Sequence, residues 1–252
     1  MLAALRRVTP TRYVAPLREG GSLPGLVEAD DDGLYVVKFR GAGQGAAALV
    51  AEVLAGELAR ALGLPVPELV LAELDPELPR AEPDVEIQEL LTASAGTNLG
   101  VDFLPGALPF TPAAAIDPAD AADVLWFDAL VMNVDRTPRN PNLLVWHGRT
   151  WAIDHGAAFY LQHAEAPLAR AARGPFRHIA DHVLLRAAES IAHADERLAD
   201  SAARAIEPAA ALVPDAWLGD DPVARRADLT AFLHERLRAP RPFVEEAERA
   251  RA

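Results

Sequence analysis

The 252-residue chain contains no cysteine. That excludes disulfide frameworks, thiolate nucleophiles and cysteine-ligated zinc. No apolar run reaches the length of a transmembrane helix, and the opening stretch MLAALRRVTPTRY is too short and too polar for a secretory signal. A soluble, cytoplasmic protein is therefore expected. Positive charge is scarce as well: 24 Lys plus Arg stand against 37 Asp plus Glu, for a net charge of −13. This balance argues against direct nucleic-acid binding, which needs a basic face, and against docking on an anionic membrane. Lysine is the scarcest basic residue. Lys38, in the run DDGLYVVKFRGAG, is the only one, and every other basic side chain is arginine. Arginine is a planar fork and lysine a compact point charge on a slender stem. A chain that uses arginine everywhere else and keeps one ammonium inside an apolar run invites a search for what that ammonium contacts.

Half of the residues are hydrophobic, enough for one large domain or two small lobes sharing a cleft. Residues 11–40 read as β-strands, TRYVAPL, GLVEAD and GLYVVKF, with Asp32-Gly33 as a hairpin turn. The stretch 43–64 predicts a helix, with Leu49, Val50, Val53, Leu54, Leu58 and Leu62 at helical spacing and Gly63 and Pro65 as stops. ELVLAEL (68–74) and DVEIQELL (84–91) read as further strands, and the Gly/Pro-rich 92–112 as a connector. DPADAADVLWFDALVMNV (117–134) predicts a helix with Asp117 as N-cap and Pro118 at its first position. NLLVW and RTWAID form a second hairpin around His147-Gly148, and residues 160–252 read as several helices. The expected fold is α+β and two-lobed: an antiparallel-sheet lobe over 1–95 and a mainly helical lobe over 96–252.

The segment MNVDRTPRNPNLLVWHGRTWAIDHGAAF (132–159) carries the chemistry. It puts Asp135, Asn140, Asn142 and Asp154 on a loop, a hairpin and the turn after it. Two strands joined by a short turn bring Asp154 back beside the asparagines. The result is a set of hard oxygen ligands suited to Mg²⁺, with an aspartate left to orient a hydroxyl nucleophile. Phosphoryl transfer calls for such an Asp, an Asn and an Asp on magnesium, and a cation on the nucleotide phosphates. Lys38 in a strand, followed by a helix bearing Glu52 and Glu57, supplies the cation and a carboxylate to hold it. Gly20-Gly21-Ser22 forms a turn whose backbone N–H groups suit a phosphate.

These parts, in this order, resemble the HipA-like kinases of the protein-kinase-like superfamily, relatives of the phosphatidylinositol kinases. The resemblance rests on Asp135-Arg136 followed by Asn140, on AIDHG at 152–156, and on GQGAAALVAEVLAGELARALGLPVPE, and it extends over roughly residues 10–240. It implies a kinase using ATP and Mg²⁺ that transfers the γ-phosphoryl group to a hydroxyl of a protein Ser/Thr or a small molecule. It further implies that Lys38 contacts the α/β phosphates with Glu52 as its helix partner and Glu57 as the alternative. Asp135 would be the catalytic base, Asn140 and Asp154 would hold Mg²⁺, Gly21 and Ser22 would cover the phosphates, and the backbone of Glu89–Leu91 would meet the adenine as a hinge. The pattern also departs from related kinases. Asn133-Val134 stand where eukaryotic-type kinases have His-Arg, Thr137 stands where phosphoinositide kinases have His, and there is no G-x-G-x-x-G. The chain is shorter than the toxin kinases of the family and lacks their N-terminal partner-binding region, so a DNA-binding toxin–antitoxin role is not expected.

Two rival classes remain at this point. HIADHVL (178–184) places His178, Asp181 and His182 at helical spacing, with His155 beside Asp154, a pattern open to a His/Asp metallohydrolase. The same stretch also reads as an ordinary amphipathic helix. The other rival is a nucleotide-binding pseudokinase, or an enzyme that transfers AMP instead of phosphate.

Overall fold

Alternation of apolar and polar residues builds the first strands, and the computed structural model describes residues 2–17, 23–42, 45–78, 84–111, 114–160 and 171–252. Strands β1 (Arg6–Val8), β2 (Pro10–Pro16), β3 (Gly25–Ala29), β4 (Leu34–Lys38), β5 (Leu69–Leu74) and β6 (Gly96–Asp102) form one sheet in the order β1-β5-β6-β4-β3-β2. The β1–β5 pair is parallel and all others are antiparallel. The β3–β4 connection is the expected Asp-Gly hairpin: Asp32 takes φ 61°, and the Ala29 N–H donates to Gly33 O at 3.0 Å. Val27, Tyr35, Val37, Val70, Ala72 and Leu74 fill the core on the sheet together with Ile87 and Leu91. These strands, with residues 84–95, belong to a unit made of Ala3–Leu49 and Pro67–Pro105.

Two sequence expectations fail in this unit. Residues 84–91 are not a strand but the start of helix α2 (Val85–Ala93). Asp84 caps it, accepting from the Glu86 N–H at 3.0 Å, and Ile87 and Leu91 form its buried stripe. An i, i+4 apolar pair with an acidic N-cap outweighs the local β-propensity of Val and Ile. The stretch 92–112, expected to be a connector, contains β6, which pairs with both β4 and β5. Its glycine has a packing reason, because a Cβ on Gly100 would come 2.6 Å from Val70 Cγ2 on the neighbouring strand.

The second unit comprises Met1–Leu2, Val50–Val66 and Gly106–Ala252. The chain thus passes between units at 2/3, 49/50, 66/67 and 105/106, and helix α1 (Gly45–Ala61) contributes to both. Helix α3 (Pro118–Val131) starts as expected: Asp117 accepts from the Ala119 N–H at 2.8 Å and Pro118 occupies the first turn. It ends at Met132 in the left-handed region. A three-stranded sheet, β7 (Leu108–Pro109), β8 (Leu143–Trp146) and β9 (Arg149–Ala152), follows the order β7-β8-β9. His147 and Gly148, both with positive φ, make the β8–β9 turn. Helices α4 (Ile191–Ala210), α5 (Pro222–Leu237) and α6 (Pro242–Arg251) complete the unit. Residues 177–181 form a short 3₁₀ turn where a longer amphipathic helix was expected. No helix among the described residues is long and apolar enough to cross a membrane.

Candidate active site

The loop between α3 and β8 begins where Met132 ends the helix in a left-handed turn, after which Asn133 N–H donates to Asp128 O at 2.9 Å. Asp135 follows, its N–H bound to Asn133 Oδ1 at 3.1 Å. A tight turn links the Thr137 N–H to Asn140 O at 3.0 Å and the Asn140 N–H to Thr137 O at 3.1 Å, folding Asn140 back over Asp135. Asn140 Nδ2 donates to Asp135 Oδ2 at 2.8 Å, and Asn142 Nδ2 donates to the same oxygen at 3.2 Å. At the base of the β8–β9 hairpin, the Ile153 N–H donates to Asn142 O at 3.0 Å. That bond brings Asp154 to the loop. Asn142 (φ 47°) and Asp154 (φ 55°) both occupy the left-handed region, which non-glycine residues adopt at a cost and which clusters at functional sites.

The electrostatics of the cluster are uneven. Asp135 is half-buried, and burial raises its pKa above the usual carboxylate range. The negative charge of Asp154 pushes it further up, against the two asparagine amides and the charge of Arg136, which pull it down. Two carboxylates close enough to repel, with only neutral donors on Asp135 Oδ2, are a place where a cation is welcome. With the amide nitrogens turned to Asp135, the amide oxygens of Asn140 and Asn142 are left as acceptors. The donor set, two carboxylates and amide oxygens, fits Mg²⁺ held jointly by one or two carboxylates and the phosphates of a nucleotide. It does not suit a self-sufficient protein cage, and no group of three or more His, Cys, Asp or Glu able to hold a metal occurs among the described residues.

Beneath the loop lies a buried ionic junction that the sequence reading did not assign. Asp128 on α3 is fully buried. It accepts from Arg136 Nε and Nη2, from Asn133 Nδ2 at 3.1 Å and from His182 Nε2 at 2.9 Å. Burial opposes its charge, but Arg136 and His182 outweigh burial and hold the carboxyl well below the usual carboxylate range. Arg136, 1% exposed, also donates to Asn142 O and, at 3.1 Å, to Ile153 O. One guanidinium therefore spans from Asp128 to the carbonyls beside each half of the Asp135/Asp154 cluster. A signal for this junction was present in the sequence: an aspartate in the middle of the apolar run VLWFDALV, followed closely by Arg136, is a buried charge in search of a cation.

The remaining expected site residues fall as follows. Lys38 is half-buried on β4 in the sheet unit, in register with Leu99. Of the two candidate helix acids, Glu57 accepts from Arg60 Nε at 3.2 Å, whereas Glu52, 2% exposed, lies 4.0 Å from Nδ1 of His155, the neighbour of Asp154. Glu52 is thus the acid connected to the Asp154 turn. Glu89 is exposed and Leu91 buried on α2, so the hinge expected at Glu89–Leu91 falls within a helix whose backbone is committed to helical bonds. Gly21 and Ser22 lie outside the described residues. The histidines do not form a metal pair: His178 is exposed against Tyr160 and Phe176, and His182 is buried on Asp128.

Taken together, these features describe an α+β protein with carboxylates and amides gathered on the loop between α3 and β8 and on the turn after β9. The sequence profile of the HipA-like kinases matches residues 12–240, and the chain belongs to the HipA-like kinase family. In fold it is similar to the crystal structure of a Helicobacter pylori proinflammatory kinase, CtkA, at 15% identity, a TM-score of 0.61 and 98% coverage of each chain. No match is found among curated protein sequences.

Proposed function

We propose that the chain is an ATP- and Mg²⁺-dependent kinase transferring the γ-phosphoryl group to a hydroxyl of a protein Ser/Thr or a small molecule. The observation that carries this reading is the Asp135/Asn140/Asn142/Asp154 cluster, in which one carboxylate is raised in pKa by burial and by a second carboxylate. Asp135 Oδ2 is engaged by both amides, which leaves Oδ1 to take the proton of the acceptor hydroxyl. The acceptor oxygen then bonds to the γ-phosphorus as the bond to the bridging oxygen breaks and ADP leaves. A base whose pKa lies above the ordinary carboxylate value is better matched to neutral pH. Asn140 and Asp154 would hold Mg²⁺, which supplies charge neutralisation on the phosphates. Lys38 is the proposed phosphate cation of the sheet unit, and Glu52 the proposed acid of helix α1. The net charge of −13 favours a protein or small-molecule acceptor over nucleic acid, and a cytoplasmic setting with abundant ATP fits the reading.

The test is incubation with γ-labelled or α-labelled ATP and candidate acceptors, for wild type and Asp154→Asn. Asparagine tolerates the left-handed backbone at 154, so the variant isolates the carboxylate. Transfer of the γ label by wild type, reduced by about 100-fold or more in the variant, is expected. Transfer of the α label alone would make the protein an AMP-transferase. Transfer of neither, with no Mg·ATP binding, would sink the kinase reading.

A further inference from the structure

The proposed chemistry uses the face of the catalytic loop, whereas His182 belongs to its underside. It arrives from 54 residues beyond Asp128, at the end of the 3₁₀ turn Arg177–Asp181, and is 6% exposed. Both ring nitrogens are committed. Nδ1 accepts the Leu184 N–H at 3.1 Å, so the proton sits on Nε2 and is donated to Asp128 Oδ2. The next residue, Val183, donates its N–H to Arg136 O at 3.0 Å. Consecutive residues of one turn therefore bind the carboxylate of α3 and the backbone of the catalytic loop.

An ionised carboxylate offers about four acceptor positions. On Asp128 they are filled by Asn133 and Arg136 Nη2 at Oδ1, and by Arg136 Nε and His182 at Oδ2. Arg136 is oriented by this carboxylate, and its remaining donors hold Asn142 O and Ile153 O, the carbonyls adjoining the amide on Asp135 and the Asp154 carboxylate. We infer that His182 is a positioning residue for Asp135, acting through Asp128 and Arg136, and that the 3₁₀ turn which carries it is thereby coupled to the geometry of the catalytic loop. The inference rests on the kinase reading for its catalytic consequence, but the coupling itself is a property of the fold. An apolar residue at 182 would fill the space and leave Asp128 Oδ2 with one unmet acceptor position. Arg136 would then be free to tilt toward it and away from the two carbonyls.

Two substitutions separate the nitrogens of the ring. His182→Gln retains a donor near the Nε2 position and loses the Nδ1 acceptor; His182→Asn retains an acceptor near Nδ1 and loses the donor to Asp128. Amide hydrogen exchange over residues 132–143 reads the coupling without any turnover, and steady-state kinetics with Mg·ATP reads its consequence. His182→Asn is expected to speed exchange in 132–143 and to lower kcat by about tenfold or more with the nucleotide KM little changed. His182→Gln is expected to stay near wild type in both. Equal effects of the two variants, or a larger effect of Gln, would assign His182 to the Leu184 turn alone and overturn the inference. Where His182→Asn does not fold, His182→Gln decides by itself: faster exchange in 132–143 than wild type overturns the coupling. Intact coupling with no Mg·ATP activity in wild type would count against the kinase reading and not against the coupling.

Discussion

Asp128 and Asp135 bound the same short stretch of chain, yet one lies on the underside of the loop between α3 and β8 and the other on its face. Asp128 is the more deeply buried, and burial alone would make it the more readily protonated. The opposite holds: Asp128 is shifted down and Asp135 up. The donors decide. Asp128 has a guanidinium and an imidazole bonded to it, while Asp135 is bonded by two neutral amides, feels Arg136 only through its charge, and has a neighbouring carboxylate. On Asp128 the cationic partners outweigh burial, whereas on Asp135 burial and the Asp154 charge outweigh the amides and Arg136. In this pair the neighbouring charges, more than burial, set the direction of the shift.

The comparison breaks most visibly through Arg136. Replacing it by Met leaves Asp128 buried without its cation, and removing one partner of a buried pair costs about 3–5 kcal/mol. Urea unfolding should show that loss, and a cost below about 1 kcal/mol, the range of exposed pairs, would mean that the junction does not hold the loop. On the face, Asp135→Asn should behave the other way. Stability should be unchanged or slightly raised, because a charge repelled by Asp154 is removed, while phosphoryl transfer falls by about 100-fold or more. Retained transfer in that variant would remove Asp135 from the base role.

The face was legible in the sequence and the underside was not, for a reason of chain distance. Asp135, Asn140, Asn142 and Asp154 lie within one loop and one hairpin, so spacing and turn chemistry suffice to bring them together. His182 meets Asp128 across 54 residues, and no local pattern reports such a contact. Its apparent helical partnership with His178 dissolved once the segment proved to be a 3₁₀ turn with one histidine outside and one inside. The helices with caps, α1 and α3, were readable from Gly63 and from Asp117-Pro118. Helix α2 was misread because four apolar residues in VEIQELL suit either period, and the Asp84 cap was the signal that should have decided. Strand β6 was hidden by its Gly and Asn content: Gly100 allows close packing on β5, and Asn98 accepts from the Arg40 N–H and donates to Ser94 O and Gly96 O.

The smallest effect is also the most discriminating between the two aspartates, because their shifts predict opposite slopes of stability with pH. Asp128, depressed in the folded state, contributes stability that is present above its unfolded pKa of about 3.9 and is lost as pH falls below it. Asp135, raised in the folded state, contributes stability that is full below that unfolded value and is lost as pH rises through its folded pKa. Other carboxylates titrate over the same range, so the measurement is a difference: unfolding free energies of wild type minus Asp135→Asn, taken in the absence of nucleotide and divalent metal, from about pH 4 upward. That difference should move against wild type as pH rises and then level off once Asp135 is ionised in both states. A flat difference would mean that burial and the Asp154 charge do not raise Asp135 above its unfolded value. A difference moving in favour of wild type would mean that Arg136 and the two amides outweigh burial and the Asp154 charge at Asp135, and the distinction between the two aspartates would fall.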